Sequence, residues 1–205
     1  ILSIHPQKCF SGTKNGTCKL QNYCYEYGVS ETSMPGEVPE RPVDTSNPFF
    51  NYDANLCILC HRCVNTCHKL VGVGAIDTAD RGFQSVISTP FAIDWKESDC
   101  VSCGNCVSAC PVGALTPKAR VREFETKKVE TTCSYCGVGC RLNLLVKDDK
   151  VVGVQPADGP ANKGLLCVKG KFGYHFINHP DRLKYPMIRE DFVETPDGQN
   201  RNTEN

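Results

Sequence analysis

Cysteine is the residue type in this sequence that could do chemistry. Fifteen of the 205 residues are cysteines, and many of them stand two residues apart in C-x2-C pairs. Thiolates at this spacing bind metal ions or iron–sulfur clusters, whereas disulfide frameworks are typical of secreted chains with an even cysteine count. The count here is odd, and the first residues contain neither a basic n-region nor a long apolar h-region. We therefore expect metal binding rather than a disulfide scaffold.

The strongest signal is a cysteine run that occurs twice. Each run has the spacing C-x2-C-x2-C-x3-C, and the second copy follows the first by 43 residues. Such runs bind [4Fe–4S] clusters, and in two-cluster ferredoxins the fourth cysteine of each run ligates the other cluster. Zinc is the alternative, but a zinc site needs only two C-x2-C pairs. The first predicted cluster has the ligands Cys57, Cys60, Cys63 and Cys110, and the second has Cys100, Cys103, Cys106 and Cys67.

A third set combines a C-x2-C-x3-C run with one distant cysteine. Its members are Cys133, Cys136, Cys140 and Cys167. This spacing alone is compatible with zinc as well as with a cluster. Gly137 and Gly139 favour a cluster, because glycine lets the backbone come close and donate N–H bonds to the cluster sulfurs.

The cysteine sets divide the chain into segments that must position them. These are a first block (1–32), a Pro-rich connector (33–46), a domain with both runs (47–117), a linker (118–130), a domain with the third set (131–188) and a polar tail (189–205). The connector cannot be a regular helix, since each proline removes a backbone donor.

Local patterns predict a few elements inside these segments. Apolar residues at 142–146 and 151–154 flank an Asp-Asp pair, which predicts a β-hairpin. A short, apolar, helix-like stretch follows each run, at 73–76 and 112–115. We expect the fourth cysteine of each run at the start of a helix. The linker at 118–130 is expected to be a strand or a short helix.

Charge and hydropathy exclude several classes of protein. Lys plus Arg and Asp plus Glu both number 23, so the formal net charge is zero. A neutral chain is not expected to bind nucleic acid or an anionic membrane surface. The longest apolar stretch, 70–76, is far shorter than the roughly 18 residues of a membrane span. We expect a cytoplasmic protein.

The residues around the last cysteine carry a family resemblance. Residues 162–170 read NKGLLCVKG, and the sequence continues as FGYHFIN at 172–178 and RLKYPMIR at 182–189. Together with the third cysteine set, these segments resemble the N-terminal part of the catalytic subunit of NAD(P)-linked molybdenum- or tungsten-dependent formate dehydrogenases. The region of the two runs, including 72–77, also resembles modules of iron-only hydrogenases and of the complex I large subunit.

This resemblance implies an α+β fold of small iron–sulfur domains. A bacterial-type two-cluster ferredoxin fold would precede a molybdopterin-oxidoreductase-type [4Fe–4S] domain. A molybdopterin with Mo or W would lie in an adjoining catalytic chain or segment. Flavin, NAD(P), [2Fe–2S], ferredoxin-type or hydrogenase-type electron-transfer subunits would be the partners. Lys169 matches the family lysine between cluster and pterin, which places it in the electron path.

The expected function is electron relay through the clusters, between a formate-oxidising or CO2-reducing molybdopterin site and a flavin or [2Fe–2S] partner. The residues that oxidise formate are not expected among these 205. The alternative is a non-catalytic electron-transfer subunit of a hydrogenase or of a complex I-like assembly.

The first block resembles a further cluster site of the same relatives, with the pattern His-x3-Cys-x2-Cys-x5-Cys. His5, Cys9 and Cys18 match this pattern, but Gly12 stands at the position of the middle cysteine. Three alternatives remain open: a four-iron cluster with water or hydroxide on one iron, a cluster that has lost that iron, and an empty site. Cys24 does not fit the missing offset and is expected to be a small buried apolar residue.

Overall fold

A computed structural model describes residues 1–5, 14–37, 39–118 and 125–187. Its helices are short and lie between loops. The α-helices are α1 (Lys19–Glu26), α2 (Arg62–Asn65), α3 (Asn105–Ala109) and α4 (Val168–Phe172). A π-helix (Thr66–Val71) continues α2. Short 3-10 helices occur at Leu2–Ile4, Ala54–Leu56, Gly82–Gln84, Pro90–Ala92 and His175–Asn178.

The strands form three small antiparallel sheets. They are β1 (Phe50–Tyr52), β2 (Asp77–Ala79), β3 (Val86–Ser88), β4 (Leu115–Pro117), β5 (Lys127–Thr132), β6 (Arg141–Lys147) and β7 (Lys150–Pro156). β1 pairs with β4, β2 pairs with β3, and β5, β6 and β7 form a three-stranded sheet in that order. The mixture of short helices and small sheets confirms the predicted α+β class.

The two-run domain packs around a core in which cysteine side chains and aromatic rings are mixed. Phe50 and Ile76 are 1% and 2% exposed, and Cys106 and Cys110 belong to the same buried cluster. Trp95 meets the Phe50 ring edge-on, with the ring centroids 5.2 Å apart. Apolar burial of this kind surrounds the cysteine loops with a water-poor environment.

The predicted hairpin in the third-set domain is confirmed. β6 and β7 pair directly, and their connection is the Asp-Asp pair. Asp148 and Asp149 have φ values of 47° and 59°. Two consecutive left-handed residues make the type I′ turn that suits the twist of paired strands, and Asp tolerates this conformation better than most residues.

Two local predictions were wrong. Residues 73–76 and 112–115 are not helical: 73–76 and 112–114 are loops that lead into β2 and β4, and Leu115 is the first residue of β4. Strand pairing decides the second case, because Asp53 N donates to Ala114 O at 2.8 Å and Leu115 pairs with Tyr52. The fourth cysteines also do not begin helices: Cys67 lies inside the π-helix, and Cys110 directly follows α3.

The structure describes the linker in part and the polar tail not at all. The linker's last residues enter β5, in agreement with the strand alternative, whereas residues 119–124 and the whole polar tail lie outside the described ranges. Helices long and apolar enough to cross a membrane do not occur in the described part of the chain.

A buried junction joins the two-run domain to the third-set domain. Asn105 in α3 donates from Nδ2 to Leu166 O at 2.9 Å and accepts from Leu166 N at 3.0 Å. Lys171 in α4 is 7% exposed and donates from Nζ to Ser108 Oγ at 2.7 Å. Because Asn105 precedes Cys106 and Leu166 precedes Cys167, the junction fixes one cysteine set relative to another.

Candidate metal centres

The two cysteine runs have the same backbone conformation. Leu59 and Ser102, at equivalent positions 43 residues apart, have φ values of 51° and 52°. His61 and Gly104, also equivalent, have φ values of 59° and 72°. Left-handed residues bend the chain sharply and are costly outside glycine. Their recurrence shows that the two loops bend at the same two positions.

The bent loops point backbone N–H groups at cysteine sulfur. Leu59 N donates to Cys57 Sγ at 3.4 Å. The Ser102 backbone N–H acts in the same way on Cys100, where it lowers the thiol pKa against the larger, raising effect of burial. Such bonds stabilise negative charge on sulfur, as a cluster-bound thiolate requires.

The first predicted ligand set is assembled from both runs. Burial first, and then the neighbouring thiolates of Cys57, Cys110 and Cys60, raise the pKa of Cys63 to about 12. Burial also raises the pKa of Cys57, with added contributions from Cys110 and Cys60. Cys110 therefore lies with the first run and not with its own, as the crossed pattern of two-cluster ferredoxins predicts.

The second predicted set is crossed in the same way. Cys67, Cys100, Cys103 and Cys106 line one cavity, together with apolar neighbours such as Trp95 and Ile76. Burial raises the pKa of Cys106 well above its usual value, and the thiolates of Cys103, Cys100, Cys63 and Cys67 add to this effect. Ala75 N donates to Cys67 Sγ at 3.3 Å.

The third set lies at the more exposed end of the chain. Burial and the thiolates of Cys133, Cys136 and Cys167 raise the pKa of Cys140. The side chains of Cys136 and Cys167 are exposed. α4 begins directly after Cys167 and brings its backbone close to the set: a Cβ at Gly170 would lie 3.6 Å from Cys133 Sγ.

Lys169 borders a groove beside the third set. The groove has a volume of about 270 Å³ and is lined by Cys133, Tyr135, Lys169, Phe176 and Arg182, among others. The Arg182 guanidinium lies 5.4 Å from the centre of the Phe176 ring. Two cations and several aromatic rings thus surround an opening next to cysteine sulfur, an arrangement suited to an anionic, planar ligand.

The cysteine sets are neighbours without closing around a single ion. The described residues contain no group of three or more His, Cys, Asp or Glu side chains that could hold a metal ion. A zinc ion draws four sulfurs to about 2.3 Å from one point. A four-iron cluster is a larger body than a zinc ion and takes its four thiolates at wider spacing.

The first block is not brought together as a ligand set in the described residues. Cys9 and Gly12 lie outside the described ranges. Cys18 packs against the core of the two-run domain, and the next residue, Lys19, donates from its backbone N to Pro111 O at 3.0 Å. Cys24 is only partly buried, less than predicted.

His61 and His68 are not part of a ligand set. His61 is exposed, and its backbone begins α2. His68 Nε2 donates to Ile76 O at 2.9 Å and lies 3.7 Å from an Asp77 carboxylate oxygen. His61 is thus solvated, and His68 contacts the segment that leads into β2.

Sequence reasoning missed Tyr52, a buried residue next to the first set. Its hydroxyl makes no hydrogen bond of normal geometry among the described residues. The signal that could have found it is the repeat itself, because Tyr52 and Trp95 stand five residues before the first cysteine of each run.

The fold and the cysteine sets define a class, that of iron–sulfur electron-transfer modules. Three family models match parts of the chain. Residues 56–114 match the 4Fe-4S dicluster domain, residues 126–179 match the molybdopterin oxidoreductase Fe4S4 domain, and residues 1–33 match the iron–sulfur binding region of NADH-ubiquinone oxidoreductase-G.

Several curated proteins are similar over almost the whole chain. An NADPH-Fe(3+) oxidoreductase subunit alpha of Geobacter sulfurreducens is 36% identical over 92% of this chain and 22% of its own length. A G-type subunit of the NADH-quinone oxidoreductase of Rhizobium meliloti is 34% identical over 96% and 23%. A protein of Staphylococcus haemolyticus that is named as a formate dehydrogenase is 32% identical over 93% and 24%.

A solved structure is similar as well. The crystal structure of an NAD+-reducing [NiFe]-hydrogenase matches with a TM-score of 0.50 and 30% identity, over 55% of this chain and 48% of that chain. The chain spans less than a quarter of the length of the three curated relatives described above. It carries the iron–sulfur domains typical of the N-terminal region of NADH-quinone oxidoreductase-G and formate dehydrogenase alpha proteins.

Proposed function

We propose that this chain relays electrons through three [4Fe–4S] clusters, each held by one of the three cysteine sets. The observation that carries this proposal is the exchange of fourth cysteines between the runs. Cys110 lies with the first run, and Cys67 lies with the second. A pair of independent sites would keep each fourth cysteine with its own run, whereas a close pair of clusters needs the exchange.

A bound cluster supplies one-electron transfer, and the residues of the chain set its conditions. Buried aromatic and aliphatic side chains exclude water from the first two sets. Backbone N–H groups at Leu59 and Ala75 face cysteine sulfur. Electron transfer needs short distances between carriers, and the Asn105–Leu166 contact holds the second and third sets in one rigid arrangement.

The relay is proposed to serve a formate-oxidising or CO2-reducing molybdopterin site, with Mo or W, at the Lys169 end. Support comes from the groove that Lys169 and Arg182 border and from the molybdopterin oxidoreductase Fe4S4 match. A relative named as a formate dehydrogenase supports the substrate. At the other end we propose a flavin or [2Fe–2S] partner in a cytoplasmic complex, and an incomplete fourth site at His5, Cys9 and Cys18.

Lys169→Ala tests whether electrons enter this relay along a path that passes Lys169. In the intact complex, formate-dependent reduction of the clusters, followed by stopped-flow absorbance, should slow while the iron content stays equal to wild type. A cation between two redox centres stabilises the electron's charge as it passes. Lys150→Ala is the matched control, because Lys150 is an exposed lysine at the turn of the β6–β7 hairpin and is not among the residues that line the groove. An equal rate in both variants would remove Lys169 from the electron path.

A second candidate function has its own support. The match of residues 1–33 to an NADH-ubiquinone oxidoreductase-G region and the hydrogenase structure favour a non-catalytic electron-transfer subunit of a hydrogenase or complex I-like assembly. Metal analysis of the intact purified complex separates the two. Mo or W at about one per chain supports the formate dehydrogenase interpretation, and nickel or neither metal, with full iron content, supports the second.

A further inference from the structure

Tyr52 lies at the end of β1, against the first cysteine set. The residue is 6% exposed and belongs to the same buried cluster as Cys63 and Cys110. Its ring packs at 5.7 Å from the ring of Trp95. β1 pairs with β4 at this point, and the pairing of Tyr52 with Leu115 fixes the face of the sheet on which the phenol lies.

The Tyr52 hydroxyl is an orphan within the described part of the chain. Oη is fully buried, and its contact with the Cys57 side chain does not reach hydrogen-bond geometry in the described residues. Another buried tyrosine behaves differently: Tyr174 is 8% exposed, and its hydroxyl donates to Val152 O at 3.2 Å. Buried hydroxyls are rarely left unpaired, so an orphan of this kind points to an acceptor that binds there.

The groups around the phenol indicate which acceptor this is. Cys63 is buried in the same cluster as the phenol, and Cys57 packs against that cluster. A phenol is protonated at neutral pH, so the hydroxyl offers a donor. The side chains that act on it are sulfur ligands of the first set, which makes sulfur the available acceptor.

Because the two runs are repeats, the Tyr52 hydroxyl is a difference between the first and the second cysteine set. Tyr52 and Trp95 occupy the same position, five residues before the first cysteine of each run. Trp95 lines the cavity of the second set with Cys100, Cys103 and Cys106. Each set thus has its own aromatic cover, and only the cover of the first set carries a hydroxyl.

We propose that Tyr52 Oη donates a hydrogen bond to a sulfur of the cluster held by Cys57, Cys60, Cys63 and Cys110, and thereby raises the reduction potential of that cluster above the value it would have without the hydroxyl. The inference rests on the proposed function, because it needs a cluster in the first set. Reduction adds negative charge to the cluster and strengthens a hydrogen bond to its sulfur, so the donor favours the reduced state.

Tyr52→Phe tests this directly, since it removes one oxygen and keeps the ring. In the cluster-loaded protein, a redox titration followed by EPR should show one midpoint potential moved to a more negative value. The ratio of reduced to oxidised cluster at a fixed ambient potential should fall by about threefold to tenfold, and a tenfold change equals about 59 mV for one electron. The other midpoint potentials should hold.

Two matched variants separate the hydroxyl from the chemistry of tyrosine in general. Tyr174→Phe removes a buried hydroxyl whose partner is a backbone carbonyl, and Tyr27→Phe removes an exposed one. Both should leave the first cluster's potential unchanged. A shift of equal size in all three variants would overturn the proposal.

The outcomes distinguish this inference from the proposed function. Protein that carries zinc or no iron would overturn both. Full iron content with unchanged potentials in Tyr52→Phe would overturn only the role of Tyr52. Should Tyr52→Phe fail to load iron, wild-type protein labelled with oxygen-17 at its tyrosine hydroxyls supplies the test: an oxygen-17 coupling to the reduced first cluster is expected, and its absence would overturn the inference.

Discussion

Asn105→Ala should release the third cluster by breaking the junction between the domains. Asn105 is 5% exposed, and its side chain is hydrogen-bonded to both backbone polar groups of Leu166. The substitution leaves a buried N–H and a buried C=O without this partner, and each such group costs about 1–3 kcal/mol. Alanine returns about 0.5 kcal/mol through its higher helix propensity. The net cost is therefore about 1.5–5.5 kcal/mol.

This loss of stability should lower the free energy of local opening around Leu166 rather than that of unfolding the whole fold. Leu166 precedes Cys167, so loss of its anchor frees the fourth ligand of the third set. If cluster loss proceeds through that opening, its rate should rise about 10-fold to 10,000-fold. Absorbance of the visible cluster band, followed in the presence of an iron chelator, measures the rate, and about one third of the signal should bleach in the fast phase.

Asn22→Ala is the control for this experiment. Asn22 lies in α1 on an exposed position, and its replacement should leave the bleaching rate within twofold of wild type. A rate for Asn105→Ala that is equally close to wild type would refute the idea that the junction holds Cys167 in place. Fast bleaching of the whole signal would show instead that the three sets open together.

Two further predictions concern the cysteine loops. Gly104→Ala should lower the free energy of unfolding by about 1–3 kcal/mol more than Gly72→Ala, because a Cβ at Gly104 would lie 2.6 Å from Phe172 whereas one at Gly72 meets nothing within 4 Å. Both positions have positive φ, so denaturant titration of the two variants isolates the effect of the clash. Equal losses of stability would contradict this prediction. Cluster assembly should also become more complete as pH rises from about 7 to 9, since burial raises the pKa of Cys63 to about 12 and iron binding must displace the thiol proton. The amount of iron bound per chain, at fixed iron and sulfide concentrations, measures this. Higher iron loading at lower pH would contradict the predicted direction.

The hairpin was predictable because it depends on short, regular spacing, and the ligand sets stay predictions that rest on spacing of the same kind. The Asp-Asp turn needs only two residues that tolerate left-handed φ between apolar strands. The structure places Cys110 and Cys67 with the opposite runs, as the ferredoxin pattern predicts. Identity of the bound metal stays a prediction from residue chemistry.

Contacts between distant segments were not predictable in the same way. Residues 112–115 look helical by composition, but pairing of β4 with β1 overrides that preference. The Asn105–Leu166 contact joins residues 61 positions apart, and no local pattern marks either of them. Tyr52 was missed for the same reason: an aromatic residue in a short strand looks like an ordinary core residue until its hydroxyl is seen to lack a partner.

Iron and acid-labile sulfide per chain, measured on the purified protein, test the central claim most directly. Three [4Fe–4S] clusters on twelve cysteines require about 12 iron and 12 sulfide, and a filled site at His5 would raise both toward about 16. Two or three zinc per chain without sulfide would contradict the account. An iron content near 8 would contradict the claim that the third cysteine set binds a cluster in addition to the crossed pair.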